Sequence, residues 1–286
     1  LQRIETKTAA TVSLDGELVD TSRAAVSVFD AAVLHGDSYF ETLRVAGARP
    51  RLLGAHLDRL LAATADAGYR GVPNADRLRL WANDAIAAAG LPDAVLRITV
   101  SRGQRPALLA GPAGDATTIV YVSPLPDALR EIARRPAHLA LAQCGGYAFP
   151  RKSGSYQRNV ELLDAARAAG LDEALICDGD EVIECATANV WVATGGELAT
   201  PPLGRCLPGV TRAALLAAAR ASGLAAIERP LTLRELRAAD AVLITNSLID
   251  VRRVAGVDGE SVGGGEAHAI HERLLEALLR TYDVDE

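Results

Sequence analysis

Residues 151–156 read Arg-Lys-Ser-Gly-Ser-Tyr, and 32 positions after Lys152 begins the run Glu184-Cys-Ala-Thr-Ala-Asn-Val-Trp191. A third run, Leu207-Pro-Gly-Val-Thr-Arg212, follows. The first run stands at the entry to a segment of helical spacing, about Tyr156 to Ala169, stopped by Gly170. The second links two short apolar stretches, Val182–Cys185 and Asn189–Ala193, of the length and composition of strands. The third sets Pro208-Gly209 ahead of a helix expected over Thr211–Ser222. Taken singly, each is weak. A lone lysine is ordinarily a solvated charge, and a glutamate in a strand ordinarily faces water. A Pro-Gly pair is an ordinary helix start.

Short strands and amphipathic helices surround this region. Thr11–Val19 alternates about Asp15-Gly16, a hairpin-turn dipeptide, and Ala25–Phe29 is a second short apolar run. A turn at His35 feeds a strand through Val45. Leu52–Ala67 and Ala75–Ala89 have helical spacing, the latter with Asn74 as N-cap and Gly90 as C-cap. Strands are expected at Ala94–Ser101 and Thr117–Val122, joined by a loop holding Gly103, Pro106, Gly111, Pro112 and Gly114. Ser123-Pro124-Leu125-Pro126 disfavours helix and sheet alike. It places a linker at 123–130 between domains 1–122 and 131–286, two being the natural number for this length. The second domain continues with strands at Ala137–Ala142, Ala174–Cys177, Glu197–Thr200 and Ala241–Thr245, and ends in an amphipathic helix, Glu266–Arg280. Hairpin strands with helices beside them predict an α+β class in both domains.

Several function classes are disfavoured. The net charge is -6 and no lysine-rich run occurs, so no nucleic-acid surface is expected. Ala213–Ala226 is interrupted by Arg220 and reads as a buried helix, not a membrane span. Cys144, Cys177, Cys185 and Cys206 lack CxxC spacing, and His268 and His271 lie one helical turn apart without a visible further ligand, so no metal is expected. Leu1–Ala10 has no apolar core of signal-peptide length, which leads to an expectation of reduced thiols and a cytoplasmic location. Gly-rich phosphate loops and a GxSxG elbow are absent.

Order and spacing lift the three runs above their separate weights. Together they resemble the class IV aminotransferases, a family that includes branched-chain aminotransferases, D-amino-acid transaminases and aminodeoxychorismate lyases. Lysine before a helix, glutamate followed five residues later by asparagine, an apolar residue and an aromatic, then Leu-x-Gly-Val-Thr-Arg are the family's order, met here by Lys152, Glu184 with Asn189 and Trp191, and Leu207–Arg212. Gly36-Asp37 with Phe40-Glu41, His56-Leu-Asp-Arg59-Leu60 and Thr245-Asn246-Ser247 extend the resemblance over most of the chain. It implies a two-domain fold type IV enzyme, a smaller N-terminal and a larger C-terminal α/β domain, with pyridoxal 5'-phosphate between them. The resemblance also implies a homodimer.

The same resemblance assigns roles. Lys152 carries the cofactor as an aldimine and shuttles the substrate proton. Glu184 faces the pyridine nitrogen and keeps it protonated, which sustains the electron sink; Asn189 belongs to the same motif. The helix start at Val210 and Thr211, with Arg59 and Ser247, receives the phosphate. Leu207 packs on the ring, and Tyr156 bonds the phenolic oxygen, standing four residues after the lysine where branched-chain enzymes place it five after.

The reaction implied first is a D-amino-acid-type transamination between an amino acid and a 2-oxo acid. Ser101-Arg102-Gly103 matches that family's carboxylate-trapping turn, while Gln104 and Phe40 stand where its histidine and tyrosine belong. Arg44, Arg97 and Arg105 are therefore further carboxylate candidates beside Arg102. The second reading is 4-amino-4-deoxychorismate lyase, which eliminates pyruvate to leave p-aminobenzoate. Thr42 stands where lyases carry a threonine, and Asn246 and its neighbours look lyase-like. Branched-chain specificity ranks third, lacking a Gly-x-Arg after Glu184. A cofactor-free binding module is the non-enzyme alternative, opposed by the joint presence of Lys152, Glu184 and Arg59.

Overall fold

The computed structural model describes residues 10–105 and 113–282, so Pro106, Gly111 and Pro112 of the expected loop, and nearly all of Leu1–Ala10, lie outside the described residues. The chain forms two compact units. One runs to Pro126 and also takes in Lys152–Ser155; the other comprises Asp127–Arg151 and the chain from Tyr156 onward.

In the first unit the elements are β1 (Thr11–Leu14), β2 (Glu17–Val19), α1 (Ala31–His35), β3 (Ser38–Ala46), β4 (Arg49–Pro50), α2 (Leu53–Asp66), α3 (Ala75–Ala89), β5 (Asp93–Ser101) and β6 (Thr117–Pro124). The strands lie in the order β2-β1-β6-β5-β3-β4, every neighbouring pair antiparallel. Alternation sorts the faces. Ala94, Leu96, Ile98 and Val100 of β5 are buried with Leu43 and Val45 of β3 against Leu57 and Leu60 of α2 and Leu78 of α3. Burial of each such leucine stabilises by about 1.5–3 kcal/mol relative to exposure. The other face presents Phe40 and Thr42, with Arg97 directly opposite Thr42.

In the second unit the elements are α4 (Asp127–Arg134), β7 (Ala137–Gln143), α5 (Gln157–Ala168), β8 (Glu173–Asp178), β9 (Glu181–Cys185), β10 (Asn189–Thr194), β11 (Glu197–Thr200), α6 (Val210–Ala221), β12 (Ala225–Glu228), β13 (Leu231–Thr232), α7 (Leu233–Arg237), β14 (Ala241–Asn246), β15 (Asp250–Val257), β16 (Glu260–Ser261) and α8 (Ala267–Tyr282). A mixed sheet runs β12-β11-β10-β14-β15-β7-β8-β9-β13, with β16 on β15. Its pairs are parallel at β11–β12, β15–β7 and β7–β8. Apolar clusters flank it: Leu175, Val190 and Val242 belong to one, Trp191, Leu243 and Leu215 of α6 to another with Leu274 and Leu278 of α8. That two-sided burial is why β10 and β14 read as unbroken apolar runs.

Two expectations are corrected. The stretch 123–130, read as a linker, is the end of β6 followed by α4. Pro124 and Pro126 do not forbid this, because proline is tolerated at a strand end and ahead of a helix. Ala25–Phe29 forms no strand; Val28 and Phe29 are exposed, and α1 begins at Ala31, capped by Asp30, whose carboxylate accepts from Ala32 N–H.

Candidate active site

The first unit places Lys152 on a strap. β4 pairs with β3 only at Val45 and Ala46, which leaves the first half of β3 an open edge. There the Phe40 N–H donates to the Lys152 carbonyl at 3.0 Å, and the Gly154 N–H donates to the Ser38 carbonyl at 2.7 Å. Tyr39 and Ser153 face each other as an antiparallel bridge. A Cβ on Gly154 would lie 2.1 Å from Ser38 Oγ, so the glycine permits the close approach.

The strap sets the Lys152 amine 4.6 Å from the centre of the Phe40 ring, and the Arg97 guanidinium lies 3.8 Å from that same ring. Arg97 also donates to Thr42 Oγ1 over 3.5 Å. Lys152, Phe40, Thr42 and Arg97 thus gather at one side of β3. Two other arginine candidates are held elsewhere. Arg44 pairs with Asp93 at 3.5 Å. Arg102 grips Asp37 through two nitrogens, donates to the Ala67 carbonyl at 2.9 Å and covers the Tyr69 ring. Burial raises the Asp37 carboxyl, but the hydrogen bonds from Arg102 and Tyr69 outweigh it and hold it below its ordinary range.

Arg59 is set by residues beneath it. Glu41, almost fully buried, takes two hydrogen bonds from the Arg59 guanidinium and one from His56 Nδ1 at 2.6 Å. Burial drives the Glu41 carboxyl up, and the His56 hydrogen bond with the Arg59 charge more than reverses it, to about 2. Burial lowers the His56 value despite Glu41, so the ring is neutral and Nδ1 is the donor.

The second unit builds a cluster about Glu184, at the end of β9. One oxygen accepts from Tyr147 Oη at 3.1 Å; the other accepts from the Leu207 N–H at 3.0 Å and, more loosely, from Asn189 Nδ2 at 3.4 Å. Asn189 also donates to the Leu207 carbonyl at 2.9 Å. Asn159 of α5 donates to Tyr147 Oη at 3.1 Å and to the Ala186 carbonyl at 2.8 Å. Burial and the Glu184 charge keep the Tyr147 hydroxyl protonated. Gly209, N-cap of α6, could carry no side chain here: a Cβ would meet Asn189 Oδ1 at 2.0 Å. Val210 and Thr211 open α6, and Thr211 Oγ1 lies 3.2 Å from Ser247 Oγ. The strand pair β10–β14 brings this about, setting Asn189 opposite Thr245.

Two residues have local duties. Tyr156 gives its single hydroxyl proton to the Ala186 carbonyl at 2.8 Å, leaving its lone pairs to accept. Asn246 accepts from the Leu248 and Ile249 N–H groups and donates to the Thr187 carbonyl, fixing the turn that carries Ser247. Sequence reading gave Tyr147 and Asn159 no role. Asn159 falls three residues after Tyr156, on one helical face, which is a usable signal; Tyr147 has none in its neighbourhood.

A family model described as amino-transferase class IV matches residues 38–257. A protein of Methanocaldococcus jannaschii assigned by name to the branched-chain-amino-acid aminotransferases is 28% identical over 93% of this chain and 94% of its own length. A bifunctional aminodeoxychorismate lyase / D-amino acid transaminase of Mycobacterium tuberculosis is 30% identical, covering 94% of this chain and 98% of that protein. The PLP-bound form of a hypothetical aminotransferase from Mycobacterium tuberculosis superposes with a TM-score of 0.86 at 27% identity, over 97% of this chain and 100% of that one. The chain belongs to the class IV aminotransferases, enzymes that use pyridoxal 5'-phosphate.

Proposed function

We propose that the protein is a transaminase of the D-amino-acid type, moving an amino group between an amino acid and a 2-oxo acid. The observation that carries this reading is the Lys152 amine and the Arg97 guanidinium lying against one ring, Phe40. That puts an amine able to transfer a proton and a cation able to receive a carboxylate around one ring on the same side of β3.

The donor set fits the cofactor. Lys152 offers a primary amine for its carbonyl, and Glu184 a buried carboxylate with both oxygens oriented by neighbours. The start of α6, the Thr211–Ser247 hydroxyl pair and Arg59 offer donors suited to its phosphate. When bound, the cofactor supplies the electron sink that makes the substrate Cα–H acidic. Lys152 Nζ removes and returns the proton at Cα. Arg97 orients the substrate carboxylate, and Phe40 shields the amine from water on one side. Glu41 and His56 hold Arg59 in place. Leu207 would flank the cofactor ring, and Tyr156, whose proton goes to the Ala186 carbonyl, would accept from the cofactor's phenolic oxygen when that oxygen carries a proton.

A second reading, elimination by an aminodeoxychorismate lyase, is favoured by Thr42. Its hydroxyl shares the side of β3 that carries Lys152 and could deliver a proton to the leaving group. The bifunctional relative supports keeping both reactions in view.

We propose a homodimer: Val28, Phe29 and Val33 of the first unit are more than half exposed, an apolar patch suited to a second copy. A cytoplasmic location is proposed from the four buried free thiols. No helix among the described residues is long and apolar enough to cross a membrane.

The deciding experiment pairs two substrates on the purified yellow protein. A D-amino acid alone should bleach the cofactor band to its amine form. An unchanged spectrum with both D- and L-amino acids, together with p-aminobenzoate from aminodeoxychorismate, would establish the lyase instead. Lys152→Ala should abolish turnover while the fold persists; retained activity excludes the whole assignment.

A further inference from the structure

Far along the chain from these residues, the start of α8 carries His268, His271 and Glu272. One ligand atom from each lies within 4.8 Å of the other two. Residues three and four positions on from His268 are its neighbours on a helix, so His271 and Glu272 flank it. Sequence spacing showed the two histidines; Glu272 is the third ligand that the spacing did not reveal.

The contacts of the His271 ring make the cluster more than a wet helix face. Its Nε2 lies 3.1 Å from the Val251 carbonyl oxygen of β15. A carbonyl only accepts, so Nε2 carries the hydrogen. Nδ1 is then the ring atom left for the cluster. That atom faces Glu272 Oε1 at 3.0 Å. The two atoms share one cation, either a proton on Nδ1 or a metal ion that displaces it. Histidine that ligates a metal through one nitrogen commonly donates through the other to a backbone carbonyl, which is the arrangement of His271. The anchor is firm: Ala267, Leu274 and Leu278 bury the inner face of α8, while His268 and Glu272 are exposed.

We propose that His268, His271 Nδ1 and Glu272 form a Zn²⁺ site that fastens the start of α8 to β15. Imidazole and carboxylate ligands suit this ion. Tetrahedral ligands at 2.0–2.1 Å stand about 3.3 Å apart. The His271–Glu272 pair is already near that separation, and a small rotation of the exposed His268 ring closes the set. The fourth place opens to solvent and is filled by water. All four cysteines are buried, and burial raises the thiols of Cys177, Cys185 and Cys206, so they do not compete for the ion in the folded chain.

The test is a calorimetric titration of ZnCl₂ into chelator-treated, PLP-loaded protein. One equivalent per chain should bind, and the melting temperature should rise with ZnCl₂. His268→Ala and Glu272→Gln, both exposed changes that leave the core intact, should each weaken binding about tenfold or more and abolish the melting shift. Nitrogen NMR should show His271 Nδ1 shifted, and free of any proton, once zinc is added. Absence of binding, equal binding by both variants, or a protonated Nδ1 that zinc does not displace would each overturn the proposal.

Discussion

Glu41 holds Arg59 by two parallel hydrogen bonds, Nε to Oε1 at 2.8 Å and a terminal nitrogen to Oε2 at 2.6 Å, with the carboxylate almost wholly out of water. A charge buried this deeply is stabilising only while its partners stay. The folded Glu41 carboxyl titrates near 2 against an ordinary 4.5. A depressed folded value means the stabilisation is complete above the unfolded pKa and is lost as pH falls from 4.5 toward 2. It amounts to about 3 kcal/mol at neutral pH. Urea denaturation at pH 7 should find Glu41→Gln less stable by about that amount, and the gap should close on acidification toward pH 2. A gap independent of pH would show that the pair is not what stabilises the unit.

Gly154 ties the Lys152 strap to β3. Gly154→Ala should push the strap off its edge and displace Lys152, cutting kcat/KM about tenfold or more, since small misplacements of reacting groups are costly. The obstructing atom is Ser38 Oγ at 2.1 Å, whereas Ser38 Cβ is an ordinary 3.5 Å away. Ser38→Ala in the same chain should therefore restore much of the loss. A double mutant no better than Gly154→Ala alone would mean that the remaining tight contact, the Gly36 carbonyl at 3.1 Å, sets the limit.

These two sites also show what the sequence could and could not reveal. Helix α3 was legible to the residue because its signals are local. Asn74 accepts from the Arg77 N–H at 2.9 Å, and Gly90 turns the chain at φ 62°. Class IV membership was legible through the order of the motifs around Lys152 and Glu184. Helix α4 was not, because Pro124 and Pro126 read as breakers although the chain beyond them, with Arg130 near Asp127 at 3.8 Å, is free to wind. The strap at Gly154 and the Tyr147–Glu184 bond join residues far apart in the chain, and no periodicity encodes such a contact.

Tyr147 gives a third measurable effect. Its hydroxyl donates to Glu184 at 3.1 Å and receives Asn159 at the same distance. Tyr147→Phe keeps the ring in place but takes one donor from Glu184 and one acceptor from Asn159. Loss of a buried hydrogen bond of this kind costs about 1 kcal/mol. Cofactor affinity, read by equilibrium dialysis, should fall about fivefold, and Asn159→Ala should move it the same way. An unchanged affinity in both would show that Leu207 N–H and Asn189 suffice to orient Glu184.

Arg97 and Arg102 sit in different surroundings. Arg97 lies against Thr42 and against the Phe40 ring that Lys152 also approaches, whereas Arg102 is committed to Asp37, the Ala67 carbonyl and Tyr69. If Arg97 receives the substrate carboxylate, Arg97→Ala should lower kcat/KM for the amino acid about a hundredfold, the loss of one charge-assisted contact worth about 3 kcal/mol. Cofactor affinity and melting temperature should change little. Arg102→Ala should do the reverse: it strips a partner from Asp37, lowers the melting temperature by several degrees, and leaves KM for the amino acid within about threefold. The contrast lies in which parameter moves. Should Arg102→Ala raise KM steeply in a protein that still melts normally, the carboxylate would be held at the Ser101–Gly103 turn after all, with Asp37 giving up its arginine when substrate arrives.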